Sequence, residues 1–148
     1  MTDTNTILSL DSLDDLNAVD TAKMDVIIGG KLSGWVWTFA GPGHPKTVAQ
    51  TSRITKERLH EDRQKEQAQV NGRKWKAPEE TPDEKRAENI TYVVERLTDW
   101  SAIEIGGKPF EFSEANARVL LSDPARISML TQALEFLSSD DAFTKRSA

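Results

Sequence analysis

The segment MDVIIGGKLSGWVWTF, residues 24–39 of this 148-residue chain, predicts a β-hairpin. Its first five residues are typical of a β-strand, and Gly29-Gly30 tolerates the positive φ angles of a tight hairpin turn. The segment from Lys31 to Phe39 is predicted to be the returning strand. Its alternation has a period of two, which places three aromatic side chains on one face of the sheet: Trp35, Trp37 and Phe39.

This aromatic face has two interpretations. A small sheet must pack such a face on something, and the predicted helices supply apolar residues that include Val93, Leu97, Leu130 and Leu134, which favours a place in the core. An exposed face would instead form an interface hot spot. Trp35, Trp37 and Phe39 are therefore also candidate partner-binding residues.

Helical patterns dominate the rest of the chain. Residues 47–70 hold strong helix formers without Pro or Gly, but their apolar stripe is thin, so we expect this long helix to project or to gain a face from another chain. Thr81-Pro82 begins a second helix with a capping box. Its helically spaced apolar residues are predicted to run as far as Trp100: Ile90, Val93, Val94, Leu97 and Trp100.

A second hairpin is predicted over residues 102–112, with Gly106-Gly107 at its turn. Ser113 caps a short helix that follows, and Asp123-Pro124 begins a final one. The sequence thus predicts an α+β fold with two short β-hairpins packed with about four helices, one of them long and polar, and with flexible termini.

The domain organisation follows from shifts in composition. Residues 1–22 form an acidic, flexible N-terminal arm, residues 23–137 a single α+β domain, and residues 138–148 a C-terminal tail. The arm is either disordered, because its Asp residues repel one another, or it folds on a partner with its leucines as anchors.

The composition limits the chemistry open to the chain. It contains no cysteine, which excludes a disulfide scaffold, a thiolate nucleophile and a Cys-ligated zinc site. Its two histidines, His44 and His60, lack converging acids, and we predict a loop or turn role for the first and a solvated place for the second. No metal-ligand spacing or phosphate-binding motif stands out. We predict no catalytic residue, no metal ligand and no cofactor.

The basic segment Arg73-Lys74-Trp75-Lys76 leaves three interpretations open. Trp75 packs back on the domain beside a mixed-charge helix, or the cations dock acidic segments of proteins, or the ring stacks on a nucleobase. The net charge of −5 argues against nucleic acid as the main partner. Arg73, Lys74, Trp75 and Lys76 are therefore further candidate partner-binding residues.

Several motifs together resemble those of a known family. They are GWVWTFAGPGHP at 34–45, NGRKW at 71–75, Trp100 followed by IEIGGKPF at 103–110, FSEAN at 112–116 and LLSDP at 120–124. Across roughly residues 24–137 the chain resembles the tail assembly chaperones of tailed bacteriophages and prophages of the siphophage type.

The resemblance implies a role without catalysis. Such chaperones bind the tape-measure protein and tail-tube subunits during tail morphogenesis in the host bacterial cytoplasm. It also implies self-association into an oligomer. No membrane partner is expected, because the sequence shows neither a signal peptide nor a long apolar run. Two other functions stay open: a minor virion structural protein of the tail or head–tail junction, and a nucleic-acid-binding regulator.

Overall fold

A computed structural model describes residues 7–76 and 79–143 of the chain, with the backbone alone for 140 and 141. Its fold is α+β, as predicted. Short 3-10 turns lie at Leu13–Leu16, Pro124–Arg126 and Asp140–Phe143. The longer elements, in chain order, are β1 Thr21–Ile28, β2 Lys31–Ala40, α1 Pro45–Val70, α2 Pro82–Arg96, β3 Leu97–Trp100, β4 Glu104–Ile105, β5 Lys108–Pro109, α3 Glu114–Ser122 and α4 Ile127–Ser138.

The main sheet has the strand order β1-β2-β3, and both pairings are antiparallel. Gly29 and Gly30 have φ angles of 62° and 78°, which confirms the predicted hairpin turn between β1 and β2. β1 begins at Thr21, so the last two residues assigned to the acidic arm belong to the sheet instead.

Strand β3 corrects the prediction for the second helix. α2 ends at Arg96, whereas the apolar spacing predicted a helix as far as Trp100. The register between β2 and β3 shifts by a bulge, so that Leu97 pairs with Phe39 and Trp100 pairs with Trp37. Because of this extra residue, two β3 side chains three positions apart both face the core. A bulged strand and a helix therefore share the same spacing of apolar residues.

The core is built around tryptophan. The Trp35 ring lies edge-on to the Trp37 ring, with centroids 5.2 Å apart, and 5.3 Å from the Trp100 ring. Trp100 stacks on Phe110 at 5.4 Å. Helices α2, α3 and α4 cover this cluster with buried aliphatic side chains: Ile90, Val93, Val94, Ala117, Leu120, Leu121, Leu130 and Ala133.

The second hairpin is shorter than predicted, with two residues in each of β4 and β5. Pro109 has no N–H to donate, and the Phe110 carbonyl instead accepts the indole N–H of Trp100 at 3.0 Å. The Phe110 N–H also donates to the Ile103 carbonyl at 2.9 Å, so one bond closes the hairpin and the Trp100 indole joins it to the core. Ser113 caps α3 as predicted, accepting the Asn116 N–H at 3.0 Å.

The predicted C-terminal tail also needs correction. Phe143 is buried, its ring lies 5.7 Å from that of Phe136, and its carbonyl accepts the Val19 N–H at 2.8 Å. The core therefore extends to residue 143 instead of ending at 137. The outermost parts of the predicted flexible termini, residues 1–6 and 144–148, lie outside the described residues.

Candidate functional site

The three aromatic side chains of β2 lie in the core. Trp37 and Phe39 have no exposed surface and Trp35 has 5%. Of the two interpretations of this face, the burial supports packing, since a docking surface must be accessible. The indole N–H groups of Trp35 and Trp37 are buried and find no acceptor within the described part of the chain. Trp35, Trp37 and Phe39 therefore belong to the hydrophobic core.

The basic segment lies at the far end of α1. Gly72 has a φ of 69° just after the helix, as the predicted Asn-Gly stop requires. Trp75 is half-buried, and the Lys65 amine lies 5.7 Å from its ring centroid. The ring therefore contacts a cation of α1. Arg73, Lys74 and Lys76 are exposed, and Lys76 also faces Glu79 at 3.7 Å.

Among the described residues, helix α1 contacts the body of the domain through its first third. The Gln50 amide is buried and donates to the Tyr92 carbonyl at 3.0 Å. Arg53 forms a two-pronged ion pair with Glu95, with N–O distances of 2.5 and 3.1 Å. The hydrogen bonds that Arg53 donates to Glu95 raise the pKa of Arg53 above its ordinary value, against a smaller opposing effect of burial. These contacts fix the direction in which the helix leaves the domain.

The remainder of α1 projects, as its thin apolar stripe predicted. Every residue from 55 to 67 is exposed. At about 1.5 Å of rise per residue, the stretch from Thr55 to Val70 extends roughly 24 Å. Its surface mixes both signs of charge, and Leu59 is its one large apolar side chain before Val70. The projecting part of α1 is therefore a long, charged surface with little apolar area.

The segment from 7 to 20 contains a capped 3-10 turn at Leu13–Leu16. Ser12 Oγ accepts the Asp14 N–H at 3.1 Å, and one Asp15 carboxylate oxygen accepts the N–H groups of Ser12 and Asp11. Five large apolar side chains of this segment are between 45% and 88% exposed: Ile7, Leu8, Leu10, Leu13 and Leu16. We call residues 7–16 the acidic-apolar segment.

Two further apolar features lie on the surface. At the hairpin tip, Ile27, Ile28 and Leu32 are exposed, and the Gln132 amide covers the edge of β1 by bonding both the N–H and the carbonyl of Ile27. A depression of about 410 Å³ beside the second hairpin is lined by aromatic groups that include Phe110 and Phe112. The hairpin tip was not predicted as a surface site, although apolar residues on both sides of Gly29-Gly30 indicate it in the sequence.

The histidines have the positions predicted for them. His44 precedes α1 and caps it, since its Nδ1 accepts the Lys46 N–H at 3.1 Å. His60 is exposed on α1 with its Nε2 3.1 Å from the Gln64 amide nitrogen. Across residues 7–76 and 79–143, no three His, Cys, Asp or Glu residues approach closely enough to hold a metal ion. The same described residues contain no helix with the length and hydropathy to cross a membrane.

Comparison with known proteins adds no relative. The chain matches no family model, no curated protein and no solved structure.

Proposed function

We propose that this chain is a non-enzymatic phage tail assembly chaperone, which acts in the host bacterial cytoplasm and binds the tape-measure protein and tail-tube subunits during tail morphogenesis. The motif resemblance supports the choice of partners. The single observation that carries the proposal is the acidic-apolar segment, which presents five large apolar side chains to solvent.

The apolar side chains of the acidic-apolar segment are exposed, and we expect them to leave water when a partner protein covers them. Contiguous apolar surface on a small protein marks an interaction site. Each such side chain that leaves water on binding contributes about 1.5–3 kcal/mol. Burial of three or four therefore offsets much of the cost of association. The apolar faces of amphipathic helices, such as those of a tape-measure protein, are the matching surface.

Charge gives the same surface its selectivity. Asp11, Asp14, Asp15 and Asp20 lie within or beside the acidic-apolar segment, and none of the bases of this chain lies before Lys23. A partner with basic residues beside its apolar face is attracted, whereas an acidic one is repelled. The projecting part of α1 supplies a second, mixed-charge arm for contacts with a long partner.

A binding experiment with a matched control tests the proposal. The triple variant Leu8→Ser, Leu10→Ser and Leu13→Ser is expected to bind a tape-measure fragment at least about tenfold more weakly, because each lost apolar contact costs about as much as a tenfold change in affinity. Its melting temperature should stay that of the unmodified chain, since these side chains are exposed. Calorimetric titration and co-purification measure the two effects.

The control removes exposed apolar surface elsewhere. Val119 and Ile127 are exposed on α3 and α4, and their replacement by serine should leave binding unchanged. If the unmodified chain captures neither a tape-measure fragment nor tail-tube subunits, the proposal is wrong. Mass spectrometry of purified particles distinguishes the rival function, because a fixed stoichiometry in finished virions identifies a structural protein.

A further inference from the structure

A cavity lies where both ends of the described chain meet the start of α1 and the end of α2. Its volume is about 590 Å³, within the range of small-ligand sites. Leu16, Leu137 and Phe143 form apolar parts of its wall, while Thr51, Ser139 and Arg96 bring polar groups to it. We call it the Arg96 cavity.

Arg96 is the last residue of α2 and only 6% exposed. Its Nε and Nη2 both donate to the Ala40 carbonyl, at 3.0 and 2.6 Å, and its guanidinium lies over the Phe143 ring at 5.4 Å. Burial lowers the pKa of Arg96 from its ordinary value, and the nearby Tyr92 hydroxyl partly offsets this. The side chain is thus held rigidly at the cavity wall.

The guanidinium has no counter-charge among the side chains that the structure describes, since none of their carboxylates forms an ion pair with it. Asp15 also lines the cavity, but its carboxylate accepts the N–H groups of Asp11 and Ser12. A buried cation that makes no ion pair is costly. An incoming carboxylate would relieve that cost and gain charge-assisted hydrogen bonds.

We propose that the Arg96 cavity binds a small organic carboxylate, with its charged group on Arg96 and its apolar body against Leu16, Leu137 and Phe143. Thr51 and Ser139 offer hydroxyl donors to the second carboxylate oxygen. The cavity shares Leu16 and Asp15 with the acidic-apolar segment, but Leu8, Leu10 and Leu13, which the binding experiment replaces, do not line it.

A pair of substitutions at Thr51 tests this site. Thr51 is exposed on α1 and lines the cavity, so a longer side chain there is tolerated. Thr51→Glu supplies a carboxylate from within the chain, whereas Thr51→Gln has the same size without the charge. We expect Thr51→Glu to melt at a higher temperature than Thr51→Gln. We also expect the melting temperature of Thr51→Glu not to respond to an added carboxylate ligand.

The probe is sodium hexanoate, with hexanol and inorganic phosphate as controls. At ten times its Kd, hexanoate should raise the Tm of the unmodified chain and of Thr51→Gln by about 3–6 °C. Hexanol should have little effect, because it lacks the charge. No shift with hexanoate, together with equal Tm values for the two Thr51 variants, would overturn the proposal. An equal response to phosphate would also overturn it, by showing an anion site without an apolar part.

The chain's own acids provide the last comparison. Asp140 and Asp141 precede Phe143 in the sequence, and their side chains lie outside the described structure. If hexanoate binds only after both are replaced by asparagine, the natural occupant is an internal carboxylate and the proposal fails. If the double variant and the unmodified chain respond alike, the cavity is open to an external carboxylate, as proposed.

Discussion

Replacement of Trp37 by alanine is expected to lower the free energy of unfolding by about 3–5 kcal/mol. The ring is fully buried and contacts the rings of Trp35, Phe39 and Trp100 at centroid distances of 5.2, 6.4 and 6.1 Å. Its loss leaves a cavity at the centre of the aromatic cluster. The free energy of unfolding of small domains is about 5–15 kcal/mol, so the variant should be only marginally stable. Urea denaturation followed by far-ultraviolet circular dichroism measures the change.

Two tryptophan variants serve as controls for this prediction. Trp75→Ala removes a half-buried ring and one exposed cation–π contact, and should cost less than about 1 kcal/mol. Trp37→Phe keeps an aromatic ring and removes an indole N–H that has no protein acceptor in the described chain, so its cost should fall between the two. Equal losses for Trp37→Ala and Trp75→Ala would contradict the placement of the β2 aromatics in the core.

Replacement of Gly41 by alanine is expected to cost about 1–3 kcal/mol. A Cβ atom at this position would overlap the Val19 carbonyl oxygen and lie 3.1 Å from that of Asp20. These are backbone atoms, so neither can rotate away. The Gly41 N–H also donates to the Asp20 carbonyl at 2.7 Å, and the shift would strain that bond. Thermal unfolding of the variant measures the loss.

Gly43 provides a matched control two residues further on. A Cβ atom there would meet nothing within 4 Å, and its φ angle is not positive. Gly43→Ala should therefore be neutral or stabilise the chain by up to about 1 kcal/mol, by restricting the unfolded state. Equal effects of the two substitutions would show that the segment before β1 does not press on Gly41.

Local chemistry made most elements predictable. The first hairpin depends on a Gly-Gly turn between two β-forming segments, and the start of α2 depends on Thr81-Pro82, whose cap forms with the Glu84 N–H at 3.1 Å. The end of α1 follows from Asn71-Gly72 in the same way. Each of these features is decided by a few neighbouring residues, so no knowledge of distant contacts is needed.

Long-range contacts account for the features that were not predicted. Leu97 and Trp100 fit a helical period as well as a bulged strand, and only their pairing with β2 selects the strand. Phe143 stands in a polar C-terminal sequence, and its burial depends on Phe136, Arg96 and Val19. Arg96 itself looks like one more surface cation of a charged helix. Its burial depends on the contact between the end of α2 and the end of β2, where it donates to the Ala40 carbonyl.

The candidate partner-binding residues also differ in how far local sequence predicts their positions. The period of two correctly placed Trp35, Trp37 and Phe39 on one face of the sheet. Which element covers that face depends on tertiary contacts that the local pattern does not contain. The basic residues Arg73, Lys74 and Lys76 are exposed, as a charged loop predicts. Their role in binding stays a prediction.

Hydrogen–deuterium exchange of the full chain, with and without a saturating tape-measure fragment, locates the surface that contacts the partner. If partners are held by the acidic-apolar segment, backbone exchange over residues 7–16 should slow by at least about tenfold, while β2 from Trp35 to Phe39 stays unchanged. Unchanged exchange over residues 7–16 in the presence of bound partner would show that the acidic-apolar segment is not the binding surface.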